Sequence, residues 1–218
     1  MRPSAILAGI LACLALAACG GFNSSQRAAQ AYALVPLPAA AAPAAVGTAP
    51  ANVLGGDAVA AWTLVLARPL ASPGLDTERI ALRRGSELDY YAASRWPGAA
   101  PDVLRAAAID TLGASGKFRV VAADTASFAA DEVLQIELKD FQAEYGVGAA
   151  PVVHVRLTAT LARRASRELV ASVGAEANAA AGENRMQSVV DAFRRATADA
   201  LQRLADALPP AAGHAGAP

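Results

Sequence analysis

The side chains that could do acid–base or nucleophilic chemistry are few and scattered. His154 and His214 are the only histidines in 218 residues. A nucleophilic Ser, Thr or Cys needs a base within hydrogen-bond reach, but alternation in a strand-like stretch places His154 on the polar face. We therefore expect His154 to be an ordinary solvent-facing side chain and His214 to lie in a C-terminal tail.

The carboxylates and glycines form no known cofactor or metal motif. Asp131-Glu132 is an acidic pair at a predicted strand entrance, where we expect a solvated turn. Asp76-Thr77-Glu78 lacks the alternating oxygen ligands of a calcium loop. Gly55-Gly56 and Gly146-Val147-Gly148 match neither phosphate-loop motif, and no set of Cys, His and carboxylates resembles a zinc site. We expect no metal, no cofactor and no enzymatic activity, and a binding or structural role.

Cys19 is the residue whose surroundings indicate a chemical modification. Residues 1–18 contain one charge, Arg2, and an apolar run over 5–18 that is shorter than the roughly 20 residues needed to span a bilayer. The run ends in Leu-Ala-Ala-Cys, which resembles the bacterial lipoprotein cleavage box and follows the layout of a secretory signal. The sequence predicts a signal peptide over 1–18 and a mature chain acylated on Cys19, with palmitate among the expected fatty acids. The alternative is an ordinary secretory signal with a coincidental cysteine.

The predicted processing sets the compartment and the partners. Two or more acyl chains anchor a protein stably, and Gly20 in place of Asp favours the outer membrane by analogy with enterobacterial sorting. Cys13 leaves with the signal, so no disulfide can form. Without Arg2 the chain has 18 basic and 19 acidic residues, a net charge of −1. No basic excess remains to neutralise phosphates, so we expect no nucleic-acid partner.

The rest of the chain divides into one domain and its flanks. Residues 19–31 are predicted to form a lipidated tether, 32–208 the domain and 209–218 a disordered tail. Within the domain, 36–57 is rich in Pro and Ala and is predicted to be a flexible loop.

Hydrophobic periodicity predicts a single α/β domain, a mixed sheet packed with two main helices. Strands are predicted at 32–35, 62–66, 79–84, 88–92, 117–121, 133–140, 152–161 and 167–177. The first helix is predicted to open at Pro101 and to end at Gly113 and Gly116. The second covers about 186–208, with an apolar stripe at helical spacing. That stripe contains Val190, Phe193, Thr197, Leu201, Leu204 and Leu208.

Large side chains are concentrated in residues 87–104, ELDYYAASRWPGAAPDVL. The whole chain has two Trp, four Tyr and five Phe, yet Tyr90, Tyr91 and Trp96 fall within seven positions. Consecutive strand residues point to opposite faces, so one tyrosine can pack under a helix while the other cannot. Either all three rings belong to the core, or Tyr90, Tyr91, Arg95 and Trp96 contribute to an interface, where such side chains are enriched.

An ordered set of features resembles the ABC-type transport auxiliary lipoprotein family, which includes paraquat-inducible protein C. The resemblance covers about residues 32–208. It departs from the family pattern at Pro97-Gly98, directly after the Trp. The matching features are Tyr32-x-Leu34, Leu75, Arg79-Ile80, Leu88-Tyr90-Tyr91, Arg95-Trp96, the helix after Pro101, Ser115–Phe118, and Leu134, Ile136, Leu138 and Phe141.

This resemblance implies a role in lipid trafficking. Members of the family accompany ABC transporters whose partners carry MCE domains and move lipids between the inner and outer membranes. By resemblance, we expect an outer-membrane lipoprotein facing the periplasm, with an MCE partner, and a homo-oligomer that suits a tube-like partner. One alternative is a structural or assembly lipoprotein without a transport role. An envelope hydrolase ranks last because no nucleophile–base pair is found.

Overall fold

The computed structural model describes residues 29–34 and 62–209. The predicted signal at 1–18, Cys19 and the tether up to residue 28 lie outside the described residues. So do the loop at 36–57 and the tail from residue 210, which contains His214. The predictions made for these segments therefore remain predictions.

Nine strands and two helices are found within the described ranges. The helices are α1 (Ala100–Ala114) and α2 (Met186–Ala207). The strands are β1 (Gln30–Ala31), β2 (Thr63–Leu66), β3 (Leu70–Ala71), β4 (Arg79–Arg84), β5 (Glu87–Arg95), β6 (Val120–Ala123), β7 (Glu132–Tyr145), β8 (Val152–Arg163) and β9 (Leu169–Ala180).

All nine strands form one mixed sheet organised around β7. On one side, β7 pairs with β8, which pairs with β9, in an antiparallel meander. On its other side, β7 pairs in turn with β2, β3 and β4, all parallel to it. The outer strands are β6 beside β2 and β5 beside β4, with β1 parallel to β5. The predicted α/β fold with a mixed sheet and two helices is confirmed.

The core lies between one face of this sheet and the two helices. On β7, Leu134, Ile136 and Leu138 are buried as their alternation predicts, and every second residue of β8 from Val153 to Leu161 is buried too. The helix α2 contacts β8, β9 and α1. All six residues of its predicted stripe are buried. Apolar periodicity therefore identified which side of each of these elements faces the core.

Several predicted element ends need correction. Gly113 lies inside α1, and the left-handed turn that follows the helix is made by Gly116, at φ +70°. The first strand is β1, and Tyr32 follows it while its N–H still bonds the Arg95 carbonyl oxygen. The strand predicted at 117–121 begins only at Val120, and Lys117 belongs to the preceding turn, where its N–H bonds Ser115 Oγ. Strand β5 runs past residue 92 through a bulge in which Ala93 has φ +52°.

Candidate functional site

The two tyrosines of the aromatic segment attach β5 to different parts of the fold. Tyr90 Oη donates a hydrogen bond to the Gly74 carbonyl oxygen at 2.9 Å, and the Arg79 guanidinium lies 3.8 Å from the centre of its ring. Tyr91 Oη donates to Tyr145 Oη at 3.1 Å. Burial, and then the Tyr145 hydroxyl, raise the pKa of Tyr91 above its usual value. Both rings are half-buried and pack against the core.

Trp96 lies in the core of the described fold, as the first of the two alternatives for the aromatic segment has it. Its exposed fraction is 0%. Its ring centre lies 5.6 Å from that of Phe141 and 5.1 Å from that of Phe193, in edge-to-face geometry with the latter. Burial of these rings removes large apolar surface from water. The sequence could not separate this outcome from an interface role because both favour Trp.

Arg95 is the member of the segment that stays on the surface. Its guanidinium lies 3.3 Å from a carboxylate oxygen of Glu78. The neighbouring backbone is tied to the same loop, since Trp96 N–H bonds the Glu78 carbonyl oxygen at 2.7 Å and Ala100 N–H bonds that of Thr77 at 3.0 Å. These two bonds fix the chain across Pro97-Gly98, where the sequence departs from the family pattern.

The acidic motifs of the sequence have structural partners. Asp131 is exposed just before β7, as expected, and its Oδ2 accepts a hydrogen bond from Thr63 N–H at 2.7 Å. Glu132 is the first residue of β7 and only 1% exposed, so the expected solvated turn is wrong for Glu132. The Arg68 guanidinium holds the pKa of Asp76 below its usual value. Within the described residues, no group of three His, Cys, Asp or Glu could hold a metal ion.

A polar cleft of about 250 Å³ opens on the face of the sheet opposite the helices. Register explains it: on this face β7, β8 and β9 place Asp140, Arg156 and Glu176 in one row, and Gln142, His154 and Asn178 in the next. We call it the open-face cleft. It is lined by Arg83, Asp140, His154, Val155, Arg156, Glu176 and Asn178.

Ion pairs hold most charges of the open-face cleft. Arg156 Nε lies 2.6 Å from Asp140 Oδ2. Glu144 forms an ion pair with Arg83 at 2.7 Å, and His154 Nε2 lies 3.5 Å from a carboxylate oxygen of Glu144. The near balance of positive and negative side chains suits a polar protein surface better than a polyanion.

Sequence reasoning placed His154 and Arg156 on the polar face of their strand but did not assemble the open-face cleft. The missing information was the pairing of β7, β8 and β9, which adds Asp140 and Glu176 to the same rows. The alternation of charged residues on three successive strands was the available signal. Their relative register could not be read from the sequence, because a one-residue slip moves every side chain to the other face.

The fold is similar to that of solved protein structures. The crystal structure of protein XCC0632 from Xanthomonas campestris matches with a TM-score of 0.61 and 26% identity, over 66% of this chain and 81% of that chain. The crystal structure of an uncharacterized protein matches with a TM-score of 0.54 and 12% identity, over 66% of this chain and 90% of that one. The PelC dodecamer from Paraburkholderia phytofirmans has a TM-score of 0.41 and 19% identity, over 65% and 86%. None of the curated proteins matches the chain.

The sequence comparison identifies the family. Residues 37–206 match the ABC-type transport auxiliary lipoprotein component family, which is more than half of the chain. The chain therefore belongs to that family, as the ordered set of features in its sequence predicted. Neither helix of the described residues combines the length and the apolar composition needed to cross a membrane.

Proposed function

We propose that this protein is the outer-membrane-anchored auxiliary lipoprotein of an ABC transport system that moves lipids between membranes with an MCE-domain partner. The observation that carries the proposal is the family match over residues 37–206. The Leu-Ala-Ala-Cys box supports an anchor at Cys19, and Gly20 supports the outer membrane. No catalytic step is assigned to this chain, which acts by binding.

The open-face cleft is the surface that we assign to the partner. Helices cover the other face of the sheet, whereas Arg156, Glu176 and Asn178 are exposed on this one. Charged side chains at a rim steer association and fix register more than they add affinity. Arg95, from the predicted interface segment, is a second exposed candidate. The protein is proposed to act as a closed cyclic homo-oligomer, because such symmetry matches a tube-like partner.

Site-specific photocrosslinking in intact cells tests the partner. A photoreactive residue in place of Glu176 or Arg95 should crosslink to an MCE protein. The matched control is Gln202, which is exposed on α2 in the helix layer, and it should give no such product. Crosslinks from Gln202 alone would move the contact to the helices. The absence of any MCE crosslink, with unchanged outer-membrane lipid composition on gene deletion, would favour a structural lipoprotein instead.

The anchor and the assembly state need separate measurements. Intact mass should show an acylated N-terminal Cys19, and Cys19→Ser should keep the fold but lose membrane retention. Sizing of the unlipidated domain should give an oligomer. A monomer at all concentrations would contradict the cyclic assembly but not the anchor.

A further inference from the structure

The turn between β7 and β8 has an unusual composition for an exposed loop. Residues 146–151 are Gly-Val-Gly-Ala-Ala-Pro and contain no charge. Val147 at its tip has a relative exposure of 110%, the highest of the exposed large apolar residues in the described ranges. The next turn of the same meander, 164–168, contains Arg164, Arg167 and Glu168. Leu169, directly after that second turn, is also exposed, at 60%, but it follows these charged residues. Of the two turns, only the one around Val147 combines a fully exposed apolar side chain with the absence of charge.

Other turns lie at the same end of the sheet as Val147, which we call the tip end. Tyr145, the last residue of β7, pairs with Arg84, so the β4–β5 turn is located there. Ala181 N–H bonds the Pro151 carbonyl oxygen at 2.9 Å, so the β9–α2 loop is there too. Two ion pairs are found at these turns, since Arg185 lies 2.6 Å from Glu183 and Arg84 lies 3.9 Å from Asp89. Glu87, opposite Arg84 at the start of β5, is exposed.

The base of the tip is held by hydrogen bonds. Tyr91 Oη donates to Tyr145 Oη, which in turn donates to Asn184 Oδ1 at 2.8 Å. Three elements, β5, β7 and the β9–α2 loop, are joined by this chain of bonds. Pro151 at the foot of the turn is buried. The uncharged tip is therefore presented from a fixed base.

The direction of β1 relates the tip end to the chain that precedes it. Because β1 is parallel to β5, and β5 runs away from the β4–β5 turn, the chain enters β1 from the tip-end side. Register places Gln30 about four strand residues short of the level of Tyr145, or about 13 Å. The start of β7 at Glu132 is about nine strand residues away in the opposite direction, or about 30 Å.

The length of chain before β1 favours the tip end as the side facing an anchor. Nine residues separate Cys19 from Ala29, and their reach is at most about 33 Å when fully extended. This reach is longer than the distance from β1 to the tip end. It extends to the opposite end only if the chain reverses and is almost fully stretched.

From these observations we infer that the tip end faces the phospholipid surface that holds Cys19, and that Val147 enters the interfacial region of that bilayer. The inference rests on the lipid anchor of the proposed function. A single valine binds a membrane too weakly to act alone, but an anchored domain meets the surface at a high effective concentration. The contact therefore sets the orientation of the domain. Because the nearby turns contain both positive and negative side chains and no basic excess, the contact needs no anionic lipid.

Fluorescence quenching by lipid-borne nitroxides tests the orientation. Acylation occupies the thiol of Cys19, so Ala149→Cys adds one free thiol at the tip while keeping Val147. Ser166→Cys is the matched control in the charged turn at the other end. Each lipidated protein is labelled with an environment-sensitive dye and reconstituted into phosphatidylethanolamine–phosphatidylglycerol vesicles that contain headgroup nitroxide.

The label at 149 should be quenched strongly and the label at 166 weakly. Val147→Asp in the Ala149→Cys protein should lower the quenching toward the level at 166, with an unchanged melting temperature. Equal quenching at the two positions, or no effect of Val147→Asp, would overturn the inference. Contact of the tip with a second copy, seen as a crosslink between tips, would also overturn it. Vesicle flotation separates the two proposals: a protein that does not float lacks the anchor, whereas one that floats with an unquenched tip refutes only this inference.

Discussion

Adjacent residues of β8 show how differently the two faces of the sheet are held. Val155 and Leu157 are at most 1% exposed beneath the helices. Between them in the chain, Arg156 points to the open face and pairs with Asp140. Burial of apolar area is the dominant favourable term in folding, whereas exposed ion pairs contribute little. We call the face beneath the helices the covered face. The comparison indicates that most of the folding free energy comes from the covered face, so side chains on the open face can vary with little cost in stability.

The covered face is centred on three rings from three elements. Trp96, Phe141 and Phe193 come from the end of β5, from β7 and from α2, and their ring centres lie 5.0–5.6 Å apart. All three are at most 1% exposed. Offset and edge-to-face pairs at such distances add to the energy of burial itself. The cluster therefore joins the aromatic segment to the C-terminal helix.

Phe193→Ala should have the largest effect on the covered face. Loss of a fully buried phenylalanine leaves a cavity between Trp96 and Phe141, so the free energy of unfolding should fall by about 3–5 kcal/mol. Denaturant titration of the unlipidated domain measures this loss. Phe128→Ala is the matched control, since Phe128 is 40% exposed, and it should cost far less. Similar losses for the two variants would mean that the aromatic cluster does not stabilise the covered face.

Much of this fold could be predicted from periodicity, and the failures have physical causes. The alternation in β7 and β8 and the stripe of α2 identify the buried faces because burial repeats with the geometry of each element. The strand order could not be predicted, because β7 takes β2, β3 and β4 as successive parallel neighbours through long-range pairing. Trp96 was ambiguous because its burial depends on Phe193, almost a hundred residues later.

Lys117→Met tests how the helix layer is closed on the covered face. The Lys117 ammonium donates hydrogen bonds to the carbonyl oxygens of Ala205, Asp206 and Leu208 at 2.6–2.9 Å. A cation at the C-terminal end of a helix is stabilised by unpaired carbonyls and by the helix dipole. Hydrogen bonds to charged groups contribute about 1.5–3 kcal/mol, so we expect a loss of about 2 kcal/mol in unfolding free energy.

The control for Lys117 is the other lysine of the chain. Lys139 is exposed and pairs with Glu137 on β7, so Lys139→Met should change the stability by less than about 1 kcal/mol. If the two variants lose the same amount, Lys117 does not cap α2 in solution. The capping role of Lys117 could not be predicted from the sequence, because its partners lie about ninety positions away.

Tyr91→Phe tests the hydrogen-bonded base of the tip end. Its expected loss of stability is smaller than that of Phe193→Ala and Lys117→Met. Removal of the hydroxyl loses the bond to Tyr145 and should cost about 1 kcal/mol at neutral pH. The pKa of Tyr91 is raised by burial in the folded protein. Its stabilising contribution is therefore present below the unfolded pKa of about 10 and is lost as the pH rises above it.

The difference in stability between the wild type and Tyr91→Phe should thus shrink above pH 10. Urea titrations at pH 7 and at alkaline pH measure it. Tyr32→Phe is the control, since its hydroxyl bonds Gln30 at the surface and its loss should matter little at either pH. A difference that grows with alkaline pH would contradict the raised pKa of Tyr91.

Arg156→Gln should have the smallest effect on stability. The Arg156 side chain is 55% exposed and Asp140 is 21% exposed, so solvent screens their attraction and the pair should contribute about 0.2–1 kcal/mol. Asp140→Asn and the double variant complete a mutant cycle that measures the coupling directly. The coupling should also fall at high salt.

The same substitution should have a larger effect on binding if the open face meets the partner. Removing Arg156 leaves Asp140 without its counter-ion and changes the charge pattern of the open-face cleft. Surface charge patterns affect the rate of association with a partner more than they affect the stability of the fold. We therefore expect crosslinking from position 176 to fall in Arg156→Gln, while the melting temperature barely changes. Arg163→Gln is a matched control, because Arg163 forms a similar pair with Glu168 at the far end of β8.

A coupling between Arg156 and Asp140 above about 2 kcal/mol, beyond what exposed pairs contribute, would contradict the assignment of stability to the covered face alone. Equal crosslinking in the two variants would instead separate the open-face cleft from the partner contact.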